Sequence, residues 1–134
     1  MFEAAERARP ALFQLAKAVC HLHQRKMLHR DIKPRNILVT AEGQLKLLDF
    51  GLVRDISEES ETMTQTVAGT APYMAPELLT DRTLRETSDW YSVGAVLYEA
   101  LTGKPPFAGQ PLEVIMRKNL EPVRPCRISP AVAA

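Results

Sequence analysis

Across His29-Arg30-Asp31-Ile32-Lys33-Pro34-Arg35-Asn36 the chain sets a carboxylate, an ammonium and a side-chain amide close together, and a second carboxylate follows in Asp49-Phe50-Gly51. One possible base, one positive charge and two oxygen donors are the parts needed to move a phosphoryl group from a nucleotide. That reaction requires donor phosphate, metal and acceptor hydroxyl to be held in line. A hard cation prefers oxygen ligands, and Asn36 and Asp49 offer an amide carbonyl and a carboxylate. A single Asp in a turn is ordinarily a cap or a solvated group; it is the ordered set that singles these residues out. His29 has no second His or Cys at metal-ligand spacing, so a buried, hydrogen-bonded role supporting the loop is the better reading.

These residues need elements to position them. Ala11, Leu12, Leu15, Ala16, Val19 and Leu22 recur at helical spacing, which predicts a helix over 10–24 with Pro10 in its first turn, where a missing N–H costs little. His21 and His23 fall on opposite sides of that helix and are read as carrying no chemistry. The period then changes. Ile37-Leu38-Val39 and the run 44–48 flank Ala41-Glu42-Gly43, so 37–40 and 44–48 are expected to form a hairpin that folds Asp49 back beside Asn36. Residues 55–66 are rich in Ser, Thr and Glu and poor in apolar side chains, the composition of a loop. A short helix is expected after Pro76, through Leu79. A longer one, capped by Ser88-Asp89, runs to about Leu101 with Trp90, Tyr91, Val93, Val96, Leu97 and Leu101 facing the core, and Gly103 and Pro105-Pro106 stop it. Another helix is expected over 111–119.

The 134 residues are enough for one domain, 46% hydrophobic and 25% charged, with net charge +1. No strong field favours nucleic acid or an acidic membrane. Cys20 and Cys126 form no CxxC pair and no disulfide framework, and a cytoplasmic, reducing setting is the simplest reading. Residues 1–9 lack the apolar core of a secretory signal, and 93–101 is too short to span a bilayer.

Ala75-Pro76-Glu77 completes the pattern. With His29-Arg30-Asp31 through Asn36 and Asp49-Phe50-Gly51 in this order, residues 11–119 resemble the larger lobe of a eukaryotic-type (Hanks-type) protein serine/threonine kinase of the kind found in many bacteria. The resemblance implies an α+β fold, mainly helical, with a small β-hairpin beside the catalytic loop. It implies ATP and Mg²⁺ as cofactors and proteins bearing Ser or Thr as substrates. Asp31 then matches the catalytic aspartate that orients the acceptor hydroxyl, and Lys33 the charge beside the transferring phosphate. Asn36 and Asp49 match the Mg²⁺ ligands, Leu38 the floor beneath adenine, and Thr70 the hydroxyl bridging Asp31 and Lys33. Phe50 is implied to be a core plug that sets Asp49. Lys33 and Gly69-Thr70-Ala71-Pro72-Tyr73-Met74 resemble the serine/threonine rather than the tyrosine class.

Arg30 resembles the arginine that takes an activation-loop phosphate; Thr66 matches the usual phosphosite, with Thr62 and Thr64 as secondary candidates. Phosphothreonine carries nearly two negative charges, and Arg can bind it bidentately. Glu77 resembles a scaffold glutamate whose arginine partner falls outside the sequence. Asp89 resembles a helix acid that accepts hydrogen bonds from the catalytic-loop backbone. The sequence shows no Gly-rich phosphate-covering strand pair, no early-strand lysine and no partner glutamate. Residues 1–134 are therefore expected to be a partial kinase domain that relies on a small lobe in cis. The alternative is a non-catalytic binding module built on the retained lobe. Apolar surface left without cover is expected to leave the isolated chain weakly stable or prone to association.

Overall fold

A computed structural model describes residues 2–48, 69–80 and 85–125. The elements are α1 (Phe2–Gln24), a 3₁₀ turn (Pro34–Asn36), strands β1 (Ile37–Val39) and β2 (Leu45–Leu47), a one-turn helix α2 (Glu77–Thr80), α3 (Glu86–Thr102) and α4 (Pro111–Leu120). Among the described residues helices dominate and one two-stranded antiparallel sheet accompanies them, so the α+β expectation holds.

Helix α1 begins earlier than its apolar stripe suggested. Pro10 lies inside it rather than in its first turn. The segment Phe2-Glu3-Ala4-Ala5-Glu6-Arg7-Ala8-Arg9 is rich in good helix formers, and these extend the helix despite the donor that Pro10 removes. Leu15, Val19 and Leu22 form its buried stripe. The helix ends where Lys26 N donates to the His23 carbonyl at 2.9 Å and Met27 N to that of Leu22 at 3.0 Å. Lys26 sits in the left-handed region at φ 58°. This is the pattern of a Schellman end, with lysine where glycine is the usual occupant.

The hairpin lies against α1. Its register pairs Ile37 with Leu47, Leu38 with Lys46 and Val39 with Leu45. Gly43 closes the turn at φ 79°, its N–H bonded to the Thr40 carbonyl at 2.9 Å. Gln14 of α1 holds both sides of β2's start, donating to the Gly43 carbonyl and accepting from Leu45 N, each at 2.9 Å. Leu15, Val19, Ile32 and Val96 form the main core, with Leu12, Ile37, Leu45, Leu47, Trp90 and Val93 packed on it.

Helix α3 starts at Glu86, before the expected Ser88-Asp89 cap. Arg85 is the N-cap residue, and its N–H bonds to Ser88 Oγ at 3.3 Å. Ser88 therefore serves as the third helical residue reaching back to the cap. Gly103 ends the helix at φ 83°, as expected. The buried positions are Ser88, Asp89, Ser92, Ala95 and Val96, a stripe with helical period. Leu97 lies about 100° round from Val96 and is 39% exposed, which corrects its assignment to the core. Helix α4 opens on Pro111, and its buried residues are Val114 and Lys118; Val114 joins Ala71 and Phe107 in a second cluster. Large apolar side chains at Phe13, Leu112, Met116 and Leu120 remain exposed. No helix among the described residues is long and apolar enough to cross a membrane.

Candidate active site

The site begins with a buried carboxylate on α3. Asp89 Oδ2 accepts the His29 N–H at 2.9 Å, and Oδ1 accepts that of Arg30 at 2.9 Å. A third donor, His23 Nε2, lies 2.8 Å from Oδ2. Asp89 thus fixes two successive peptide groups of the loop, including Arg30 at φ 77°. A left-handed backbone at a non-glycine residue persists where its surroundings over-determine it. His23, read from the sequence as carrying no chemistry, is buried and structural. Its ring stands edge-on to Trp90 with centroids 5.8 Å apart, and its Nδ1 faces Glu86 Oε2 at 3.9 Å.

His29 is fully buried. Its Nε2 donates to the Leu48 carbonyl at 2.8 Å, while Nδ1 accepts from Asp31 N at 3.2 Å. The two bonds together specify one neutral tautomer. Leu48 N also donates to the Asn36 carbonyl at 2.7 Å. Both backbone groups of Leu48 are therefore held by the loop.

Four of the expected site residues come together. Asp31, partly exposed, has its Oδ2 3.2 Å from Lys33 Nζ and 3.1 Å from Asn36 Nδ2. The same Asn36 amide donates to the Asp31 carbonyl at 2.8 Å. Thr70, 37 residues beyond Lys33, accepts from Lys33 Nζ at 2.9 Å and lies 3.4 Å from Asp31 Oδ1. The ammonium sits between a carboxylate and a hydroxyl, which fixes all three side chains. The 3₁₀ turn, with Pro34 at its first position, is what swings Asn36 back towards Asp31.

Asn36 is buried and spends its amide N–H groups on Asp31. With the N–H side of the amide engaged there, its carbonyl oxygen is an atom of the type a hard cation takes. The described residues hold no cluster of three or more His, Cys, Asp or Glu able to bind a metal. Asp49, Phe50, Thr62, Thr64, Thr66 and the rest of residues 55–66, expected to form a loop, lie outside the described residues, as does Cys126. Leu38 is half exposed on β1, so it is not an ordinary core residue of this hairpin. The Arg30 side chain is exposed.

Around Thr70 the chain turns, Tyr73 N and Met74 N both donating to its carbonyl at 2.9 and 3.1 Å. Tyr73 Oη donates to Glu99 Oε2 at 2.5 Å, and Ser92 Oγ donates to the Tyr73 carbonyl at 2.8 Å. Burial, reinforced by the Glu99 carboxylate, raises the Tyr73 phenol well above its usual range. Glu77 is partly buried and accepts from Ser88 Oγ at 3.1 Å. Sequence reasoning overlooked Gln14, His23, Ser92 and Lys118 as organisers of this region. A helical period extended to polar residues would have placed Ser92 on the buried stripe with Ser88 and Asp89.

The protein kinase domain family matches residues 2–131. A serine/threonine-protein kinase of Arabidopsis thaliana, AtPK1/AtPK6, is 45% identical over 102 residues, which cover 76% of this chain and 22% of that protein. The serine/threonine-protein kinase PknL of Mycobacterium tuberculosis is 44% identical over 113 residues, covering 84% and 27%. A probable serine/threonine-protein kinase PknB of Bifidobacterium longum is 43% identical over 108 residues, covering 79% and 16%. The chain thus spans between 16% and 27% of the length of these curated relatives.

Proposed function

We propose that this chain, which belongs to the protein kinase domain family, carries the catalytic-loop part of a protein serine/threonine kinase that transfers the γ-phosphoryl group of ATP to Ser or Thr hydroxyls of proteins. The observation that supports it best is the mutual bonding of Asp31, Lys33, Asn36 and Thr70. Relatives of both plant and bacterial origin named as serine/threonine kinases agree with it. On this reading the chain is the larger lobe of a cytoplasmic kinase domain, and the nucleotide is covered by a small lobe in cis.

The proposed step follows from the carboxylate's surroundings. Asp31 has a partly exposed face open to an acceptor hydroxyl. As the acceptor oxygen bonds to the γ-phosphorus, its proton passes to an Asp31 oxygen, and the bond to the bridging oxygen breaks with its electron pair leaving on ADP. Lys33 places positive charge where the transferring group becomes most negative. Thr70 keeps Lys33 and Asp31 in one arrangement. Asn36 Oδ1 and Asp49 would hold Mg²⁺, which supplies charge neutralisation on the phosphates. Leu38 offers an exposed apolar surface to a purine.

Regulation is part of the proposal. Phosphorylation of Thr66, or secondarily Thr62 or Thr64, adds a dianion that the exposed Arg30 guanidinium can take bidentately. Thr66→Ala should then remove the phosphorylation dependence of activity.

The test is transfer from labelled ATP to Ser, Thr and Tyr peptides by the full-length protein. Transfer to Ser or Thr is expected, with Asp31→Asn lowering kcat at least ~10²-fold. Undiminished activity in Asp31→Asn, or equal transfer to Tyr, refutes the assignment. Tight substrate binding with no transfer by the wild-type protein would instead favour a non-catalytic binding module.

A further inference from the structure

Lys118 on α4 is only 8% exposed. Its Nζ donates to the Ala71 carbonyl at 2.5 Å and the Met74 carbonyl at 2.6 Å, and lies 5.0 Å from the Tyr91 ring centroid. Among the described residues no carboxylate stands within ion-pair distance of it; the charged and titratable groups facing this corner are Tyr91 on α3, with Glu77 of α2 beside that phenol. An ammonium buried without a counter-ion is costly unless its donors are satisfied. Here main-chain carbonyls take two of its three N–H groups, and the face of an aromatic ring lies beside it.

Those carbonyls bracket the turn that follows Thr70. The turn's internal bonds converge on the Thr70 carbonyl, and Thr70 Oγ1 meets Lys33 and Asp31. Ala71 packs on Phe107 and Val114, one helical turn before Lys118. A single side chain thus ties the orientation of α4 to the turn carrying the hydroxyl that organises the site.

We propose that Lys118 is a positioning residue: its ammonium staples α4 to the turn at residues 69–74 and so holds Thr70 against Asp31 and Lys33. The inference rests on the reading of that cluster as the phosphotransfer site. Lowering of the lysine by burial, to about 8, still leaves it mostly protonated at neutral pH.

The test compares Lys118→Met, which keeps the aliphatic stem, with Lys118→Arg, which keeps charge and a donor fork, in the full-length protein. Hydrogen exchange followed by mass spectrometry reads the turn without needing activity. Exchange of the Tyr73 and Met74 amides is expected to rise at least ~10-fold in Lys118→Met, an opening of about 1.4 kcal/mol, and to stay near wild type in Lys118→Arg. Unchanged exchange in Lys118→Met overturns the staple. Kinetics then read its consequence. Lys118→Met is expected to lower kcat about 10-fold with the KM for ATP unchanged, and to lower it less than 2-fold when Thr70→Val is already present. If the two losses multiply in full, Lys118 does not act through Thr70. Where Lys118→Met does not fold, Lys118→Gln replaces it in both arms. A wild-type protein that transfers nothing refutes the proposed function and, with it, the catalytic half of this inference, while the exchange result still decides the staple.

Discussion

Replacing Asp89 with Asn is the sharpest test of how the loop is held. The carboxylate accepts from His29 N and His23 Nε2 on one oxygen and from Arg30 N on the other. An amide of the same shape can place its single carbonyl oxygen at the two-donor position only by pointing its NH₂ at the Arg30 N–H. One charge-assisted bond is then lost outright, about 1.5–3 kcal/mol, and the other two become neutral-acceptor bonds at a cost of about 1 kcal/mol each. The sum is about 3.5–5 kcal/mol of stability. The left-handed Arg30 loses part of what over-determined it, so the loop relaxes and Asp31 leaves its place between Lys33 and Asn36. Urea unfolding of Asp89→Asn measures the first effect through the midpoint at constant m; transfer kinetics measure the second. Arg30→Gly is the control, because it keeps every backbone N–H and relieves the positive φ, and it should change stability by no more than about 1 kcal/mol. A loss below 1 kcal/mol for Asp89→Asn, with transfer unimpaired, would show that the carboxylate does not hold the loop.

Other outcomes follow from the same geometry. Lys26→Gly should raise stability by about 0.5–1 kcal/mol, read as a higher Tm, because the exposed lysine occupies a left-handed helix end that glycine adopts without strain. Gln14→Leu should cost about 1–2 kcal/mol and increase amide exchange at Leu45, since both of its polar atoms are engaged with the start of β2. Lys118 gives stability a pH dependence of defined sign. Its pKa is lowered to about 8 by burial, below the ordinary 10.5, so between those values the unfolded chain binds the extra proton and this group's contribution to stability rises with pH. Denaturation at pH 7.5 and pH 9.5 should show that rise in the wild-type protein and not in Lys118→Met.

Local geometry accounts for what could be read in advance. Asp31, Lys33 and Asn36 lie within one loop and one 3₁₀ turn, so their spacing alone brought them together. The hairpin was announced by Ala41-Glu42-Gly43, and α3 by its apolar residues and the stop at Gly103. Three roles left unread share one cause. His23, Ser92 and Lys118 are polar residues on helices, where polarity ordinarily marks the solvent side; each is buried because a specific partner from a distant segment meets it, Asp89, Tyr73 and the Ala71–Met74 carbonyls respectively. Such pairings depend on tertiary packing and leave no local period. Leu97 was misread in the opposite sense, an apolar side chain lying just off the buried stripe.

The anchoring of Leu48 has a consequence for how the chain can change length. Its N–H and C=O are both fixed by the loop, at Asn36 and His29, so the hairpin is clamped at its base and carries Asp49 as the next residue. Residues added at Ala41 or Glu42, at the exposed tip, lengthen a turn and leave the clamp untouched. A single residue added to or removed from an arm, between Ile37 and Val39 or between Leu45 and Leu47, turns every following side chain to the other face and breaks one of the two bonds at Leu48. Variation in length across this segment should therefore collect at the tip, with both arms invariant in length.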